Sequence, residues 1–445
     1  MRLNVMCGAV IIVAFSGCLL NTPGLFGPEA DADADVDGDG DGDGDGDMDT
    51  DVDVDADVDG DVDADADGIS CTDAAHCDDH NECTVDRCSS GTCVNESVRC
   101  DDRIDCTVDT CDPSSGCVFT PDDGSCPGSS DICDPEYGCA HVLWVDAACS
   151  EPCSTECLEG DPCREISDAL ELTVPPTDTT LNVVILAPGT YTQEFEFVDG
   201  SDEEILIVGG PGVEFHSTTA DRFLKLGGTT RVTISQMRVR AEKRAFELLK
   251  SAELILDRVV MEGHSENGIK AKDDATASLS RCVVQRNAKS GIKAENDVRL
   301  YLTNTLLIGN GGASDAEAGA IFLVDDTVHL EAVNCTMADN DGVDMAGAIR
   351  GSSADDLLVN DILWPNEGTG NQCPGCALTS CWTSDPSFVQ IFRTVVDDYM
   401  LEPSSLARDA GTMTSGSTVT PVPDIDFWGD RRDDGAIDIG ADEVR

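Results

Sequence analysis

Lys270 and Lys293 stand 23 residues apart, each directly after an isoleucine, and Arg350 holds the same place on a later repeat, with Phe322 interrupting the column between them. Lys272 lies two residues beyond Lys270. Just past the same segment, Asp274, Asp297 and Asp326 recur five residues after Ile269, Ile292 and Ile321. Residue types in such columns suit two kinds of chemistry. Stacked carboxylates can hold calcium while a lysine abstracts a proton from a substrate. Alternatively, cations repeated at a rung spacing of roughly 4.8 Å form a positive rail that attracts an anionic glycan. The plainest reading is a solvated strand face followed by acidic turns, where Asp suits the turn backbone. The rail, made of Lys270, Lys272, Lys293 and Arg350, is the favoured site. The three Asp residues are weak metal candidates, because adjacent acids are too common in this chain to be informative. An acid pair with a histidine would suit glycan hydrolysis, but His264 and His329 fall on different parts of the repeat from Asp273 and Asp274. No catalytic residue is assigned.

What must position these residues is a repeat running from about Arg222 to Asn310. Leu224, Phe246, Ile269 and Ile292 form one column, with steps of 22, 23 and 23. Ile234, Leu256, Leu279 and Leu302 form a second, and Val239, Met261, Val284 and Leu307 lie close to a third. Apolar and polar residues alternate within each unit, as in strands with one buried face. A period of this size with two or three short strands predicts a stacked parallel solenoid. Beyond Asn310 the units lengthen to 29 and 28 residues, measured from Ile292 to Ile321 to Ile349. Asn287, Asn310, Asn340 and Asn366 recur at one turn and predict a structural ladder of side-chain amides. Cys282 and Cys335, two coils apart with Thr305 between them, are expected as buried single thiols.

The chain has 445 residues and a net charge of −61, yet sixteen of its 27 Lys and Arg fall between Arg222 and Arg299, against ten acids there. Outside that window phosphate would be repelled almost everywhere, so nucleic acid is not an expected partner. Aromatics are only 4%, which suits a narrow core of Val, Ile and Leu.

Met1 to Cys18 reads as an export signal: Arg2, an apolar run from Val5 to Phe15, and a small-residue exit. From Asp31 to Asp67 every odd position is Asp, 19 carboxylates in 37 residues. Such neighbours repel within the ~8 Å screening length and predict an extended stalk. An EF-hand loop needs an acid at its twelfth position, which strict alternation forbids; only loosely bound calcium is compatible, and no other cofactor is expected. Sixteen of 23 cysteines lie between Cys71 and Cys163. The twelve from Cys71 to Cys139 are an even set suited to six bridges of undetermined connectivity, in an oxidising compartment. Cys149, Cys153, Cys157 and Cys163 are expected to staple a lid, and REISDALELT predicts a short amphipathic helix covering the solenoid's open edge. Of Cys373, Cys376 and Cys381, one pair can bridge and one thiol is left over.

Several segments resemble known families. The FSGC ending resembles a bacterial lipobox, which implies lipid attachment at Cys18 and outer-membrane placement, the lipid being the sole membrane contact. CTVDRC and CTVDTC, in units that start at Cys77 and Cys100, resemble the Cys-Thr-x-Asp-Cys repeats of slime-mould and myxobacterial surface proteins. LNVVILAPGTY from Leu181 resembles the first coil of right-handed parallel β-helix proteins, a fold that also hosts polysaccharide lyases and hydrolases. SDPSF at Ser384, YMLEPSSLARDAG at Tyr399, DIDFWGDRR at Asp424 and AIDIGADE at Ala436 resemble the closing segment of the choice-of-anchor Q family. That resemblance implies a β-helix surface protein and carries no active site.

The expected fold is therefore all-β: a right-handed, single-stranded parallel β-helix preceded by a disulfide-rich module and a disordered Asp-rich stalk. The expected divisions are 1–17 signal, 18–68 linker, 69–163 cysteine module, 164–383 β-helix and 384–445 C-terminal cap. The expected protein is an exported, lipid-anchored monomer for display, adhesion or binding of an anionic glycan or surface partner. The alternative is a polysaccharide lyase or glycoside hydrolase.

Overall fold

The computed structural model describes residues 71–444, apart from 129–130, 136–137, 151–152, 154, 174–179, 198–203, 313–318, 343–346, 352–354, 368–372, 374–375, 385–398, 418 and 433–435. The signal segment, Cys18 and the Asp-rich linker lie outside the described residues.

The chain winds through parallel strands on three faces. The first face is a seven-stranded sheet that includes Arg222–Leu226, Arg244–Leu248, Ile269–Lys272, Ile292–Glu295, Ile321–Leu323 and Ile349–Arg350. The second face carries Thr276–Ser280, Arg299–Thr303 and His329–Val333 among others. The third carries Val283–Gln285, Leu306–Ile308 and Thr336–Ala338. Every rung pairs in parallel with the next, as a solenoid requires.

All three expected columns are register partners. Leu224 faces Phe246, then Ile269, Ile292, Ile321 and Ile349. Ile234, Leu256, Leu279 and Leu302 align likewise, as do Val239, Met261, Val284 and Leu307. These side chains are fully or almost fully buried. Each stabilises the coil by about 1.5–3 kcal/mol through apolar burial. An Asp at Leu279 would place an unpaired charge in that core.

Corners are made by residues in the left-handed region. Arg258, Arg281, Asn304, Asn334 and Asn360 all have φ between 45° and 56° where the second face turns into the third. Asn tolerates this conformation through its short polar side chain. At the two arginine corners, buried Asp257 offsets the strain, accepting from Arg258 Nε at 2.8 Å and from Arg281 at 2.7 and 3.0 Å.

The asparagine ladder is present at the next turn. Asn287 Nδ2 donates to Asn310 Oδ1 at 2.8 Å, Asn310 Nδ2 to Asn340 Oδ1 at 3.0 Å, and Asn340 Nδ2 to Asn366 Oδ1 at 2.9 Å. Cys282 and Cys335 are buried free thiols, and Cys381 is left free beside the Cys373–Cys376 pair.

Six bridges join the twelve cysteines of the N-terminal module. Cys77–Cys93, Cys100–Cys117 and Cys126–Cys139 close units internally, while Cys83–Cys111 and Cys106–Cys133 tie each unit to the next. Cys71–Cys88 anchors the start. Because every unit shares a bridge with its neighbour, a module almost without apolar core is held by covalent links.

The open edge of the solenoid is covered differently from the expectation. Strand Gly138–Val145, from the last cysteine unit, pairs in parallel with Thr180–Leu186 and so adds a rung ahead of the first coil. A strand satisfies the edge's backbone groups directly, which a helix cannot do. The helix does form, at Ile166–Leu170, and buries Ile166 and Ala169 in the same core. The described tail lies along the flank of the coils. Tyr399, Leu401, Ala407, Phe427, Ile439 and Ala441 pack on Val260, Val283, Leu306 and Ile362, which point outward from the third face. Among the described residues, no helix is long and apolar enough to cross a membrane.

Candidate ligand-binding face

Alternation along the first face turns its isoleucines inward and its neighbours outward. Lys225, Glu247, Lys270 and Lys293 are successive register partners, followed by Phe322 and Arg350. Three of the four proposed cations, Lys270, Lys293 and Arg350, therefore share one outward column. Lys272 lies in the neighbouring column and is ion-paired with Glu295, which neutralises it.

Along the column the charge changes character. At the N-terminal rungs the cations are neutralised: Lys225 pairs with Glu196 at 3.2 Å, and Glu247 is held by Arg222 at 2.5 Å and Arg244 at 3.2 Å. From Lys270 onward no carboxylate occupies the column. Burial holds the Lys270 ammonium below its ordinary pKa, with Lys272 and Arg244 adding to the effect.

Phe322, which in the sequence only interrupts the basic column, is a member of it in space. Its ring centroid lies 5.2 Å from Lys293 Nζ and 4.8 Å from the Arg350 guanidinium carbon. Cations at such distances are attracted to the ring by about 0.5–1 kcal/mol each at exposed sites. The signal was an apolar aromatic at an outward position, where alternation calls for a polar residue.

The acidic column is a set of exposed turns. Asp274 and Asp297 have φ of 64° and 56°. Asp297 N–H donates to Thr327 Oγ1 at 2.8 Å, and Asn296 links Asp273 to Asp325 through its side-chain and backbone N–H. Among the described residues, the ligand atoms that converge in threes are all cysteine sulfurs of the bridged module, so Asp274, Asp297 and Asp326 are not brought together.

One family model matches the chain, at two successive segments, and a solved structure is similar to it. Residues 76–98 and 99–121 match the Dictyostelium (slime mold) repeat. No curated protein matches the chain. Among solved structures it is similar to one described as the crystal structure of pectate lyase Pel9A, at 14% identity and a TM-score of 0.40, covering 68% of this chain and 96% of that one. The solenoid assignment rests on the strand register above.

A concavity, invisible in the sequence, lies at the turn after the third face. This open cleft of about 560 Å³ is lined by His216, Arg240, Glu262, His264 and Arg286 among others. Glu262 is buried; burial pushes its carboxyl up, but Arg240 and Arg238 outweigh this and hold it below its ordinary value. His264 stands one coil before Asn287, and its backbone N–H donates to Asn287 Oδ1 at 3.2 Å, so it caps the ladder. Burial lowers its pKa to about 4, which leaves the ring neutral. His329 sits elsewhere, paired with Glu331 at 3.0 Å. The histidines and the acidic turns do not form one constellation.

Proposed function

We propose that this protein is a surface β-helix that binds an anionic glycan through the Lys270, Lys293 and Arg350 column. The observation that carries the reading is the loss of carboxylates along that column from Lys270 onward, in a chain whose net charge is −61. Like charges gathered on one strip raise the local concentration of an oppositely charged ligand and steer it to that strip. The chain is further proposed to be exported, monomeric and lipid-anchored at Cys18 in the outer membrane, with the Asp-rich segment as spacer, and to belong with the choice-of-anchor Q proteins through its tail motifs. The lyase alternative gains one supporting feature, the lowered pKa of Lys270, which suits a base. Among the described residues the acids do not converge in threes, and the column of Lys270, Lys293 and Arg350 favours binding as the role.

The test is binding of the wild type and of Lys270→Ala with Lys293→Ala to an array of acidic and neutral glycans at two salt concentrations. The expected result is acidic-glycan binding that weakens with salt and falls at least tenfold in the double variant, since a charge-assisted contact is worth about 1.5–3 kcal/mol. Absence of salt-sensitive binding, or a double variant that binds normally, would sink the proposal. Incubation with acidic polysaccharides and calcium, followed for unsaturated products or new reducing ends, separates the enzyme reading.

A further inference from the structure

The first two cysteine units carry strand edges of a kind that the third unit has already filled. In each unit a hairpin is fixed by a facing pair of cysteines: Cys88 with Cys93, Cys111 with Cys117 and Cys133 with Cys139 are register partners. That shared register makes Thr92–Ser97, Gly116–Pro121 and the start of Gly138–Val145 equivalent strands. In the third unit the far edge of this strand pairs in parallel with Thr180–Leu186. Ala140 and Val142 pack there with Leu181 and Val183, and are 0% and 7% exposed. The first two hairpins stand as separate two-stranded sheets, so among the described residues no strand pairs with the equivalent edge. Val94 and Val118 hold the place of Ala140 and are 38% and 36% exposed, and Phe119 is 39% exposed.

An open edge presents a row of backbone donors and acceptors that an added strand satisfies. The side chains around these two edges say what kind of strand fits. Alternation and register put Val85 and Val94 on one face of the first hairpin, and Val108 and Val118 on one face of the second. The opposite faces carry Asp86 and Asp109. Between residues 71 and 121 there are eleven Asp and Glu against three Arg, and Arg87 and Arg99 are ion-paired with Glu96 at 3.6 Å and Asp101 at 3.1 Å. Such a surface attracts a basic strand and repels an acidic one, a second copy of this acidic chain included. Going beyond the glycan reading and independent of it, we infer that the edges of Thr92–Ser97 and Gly116–Pro121 each dock an extended segment of a partner protein in which apolar and basic residues alternate. Its apolar residues lie beside the valines and its basic residues beside Asp86 and Asp109. The docked strand runs parallel to the one it joins, as Thr180–Leu186 does in the third unit. Pro121 has no backbone donor and closes its edge after Thr120, which keeps the added strand short.

The experiment titrates the oxidised full-length protein at physiological salt with three short fluorescent peptides: one alternating Val and Lys, one alternating Val and Glu, and the Val-Lys peptide with every second backbone amide methylated. The methylated peptide keeps the charge, and so accounts for plain attraction to the Asp-rich segment. The Val-Lys peptide is expected to bind about tenfold or more tighter than either of the others, since methylation removes two or more strand hydrogen bonds. Amide exchange is expected to slow within residues 92–97 and 116–121. Val94→Lys with Val118→Lys, at exposed positions, is expected to abolish that preference while all six bridges of the module stay closed. Equal binding of the methylated peptide, binding by none of the three, or protection confined to other strands overturns the inference. Sedimentation showing a dimer with the same two strands protected also overturns it, by making a second copy the occupant. None of these outcomes touches the glycan reading, which rests on the solenoid.

Discussion

Replacing Asn310 by alanine removes the middle of the side-chain ladder, and the cost can be worked from its bonds. Asn310 Oδ1 accepts from Asn287 N–H at 3.3 Å and from Asn287 Nδ2 at 2.8 Å, and Asn310 Nδ2 donates to Val284 O at 2.8 Å and to Asn340 Oδ1 at 3.0 Å. The backbone N–H of Asn310 keeps its own bond to Asn340 Oδ1. Four bonds are lost at about 1 kcal/mol each, and the buried partners left behind raise the cost of several of them toward 1–3 kcal/mol. The side chain is buried, so water cannot replace it without opening the coil. The expected loss is about 4–6 kcal/mol, among the largest that a single substitution produces. Denaturant unfolding of the oxidised protein measures it as a fall in midpoint at constant slope. Asn296→Ala is the control: it is exposed, and its side chain donates one bond, to Asp273 at 2.8 Å. If Asn310→Ala costs no more than Asn296→Ala, the ladder does not hold the coils together and the reasoning fails.

Asp442 is buried, accepts from Leu401 N–H at 2.6 Å, and has its carboxyl pushed up to about 7 by burial. A raised folded-state value means stability that is full below about pH 4 and lost as pH rises to about 7, by as much as about 4 kcal/mol. Asp442→Asn keeps the acceptor, so unfolding midpoints between pH 4 and 8 should flatten; an unchanged slope would refute this. Asp361 is fully buried, accepts from Cys335 N–H at 2.7 Å, and its Oδ2 has no hydrogen-bond partner. Burial raises its pKa well above the usual range, so Asp361→Asn should stabilise the protein at pH 8 by about 1–3 kcal/mol and have little effect at pH 4, in the same assay. Cys18→Ser should move the protein from the membrane to the soluble fraction of fractionated cells, and unchanged partitioning would remove the lipid anchor.

The columns were legible because a solenoid writes its geometry into the period: one coil is one repeat, and strand alternation marks the inward side. The ladder was legible for the same reason, since Asn287, Asn310 and Asn340 recur at a single turn. Disulfide connectivity was not, because Cys83–Cys111 and Cys77–Cys93 are equally compatible with a regular spacing. The lateral course of the tail left a signal that alternation analysis passes over. Val283-Val284 and Leu306-Leu307-Ile308 are continuous apolar runs, the pattern of strands covered on both sides. The outward Val283 and Leu306 are fully buried under the tail. The tail motifs find their meaning there as well. Arg432 and Glu443 form a buried pair at 2.7 Å, and Asp438 accepts backbone N–H groups from Asp409 and Val444 at 2.6 and 2.7 Å. Those conspicuous acids clamp loops.

This division of labour bears on why the basic column is where it is. The third face is occupied by the tail, and the first rung of the second face is occupied by the strand from the cysteine module. On the second face, Glu331 is tied to Ser417 of the tail at 2.6 Å. An outward position on a packed face must be apolar or paired, whereas a position on an unpacked face can be chosen for charge. On the first face Lys225 and Arg222 are paired with acids, and Lys272 with Glu295, but within the column itself the succession of Lys225 and Glu247 gives way to Lys270, Lys293, Phe322 and Arg350. Stability alone favours continuing the alternation of Lys and Glu from rung to rung, because like charges on adjacent rungs repel. Lys270 beside Lys293 breaks that alternation, and the break is the feature on which the proposed ligand role of the column rests.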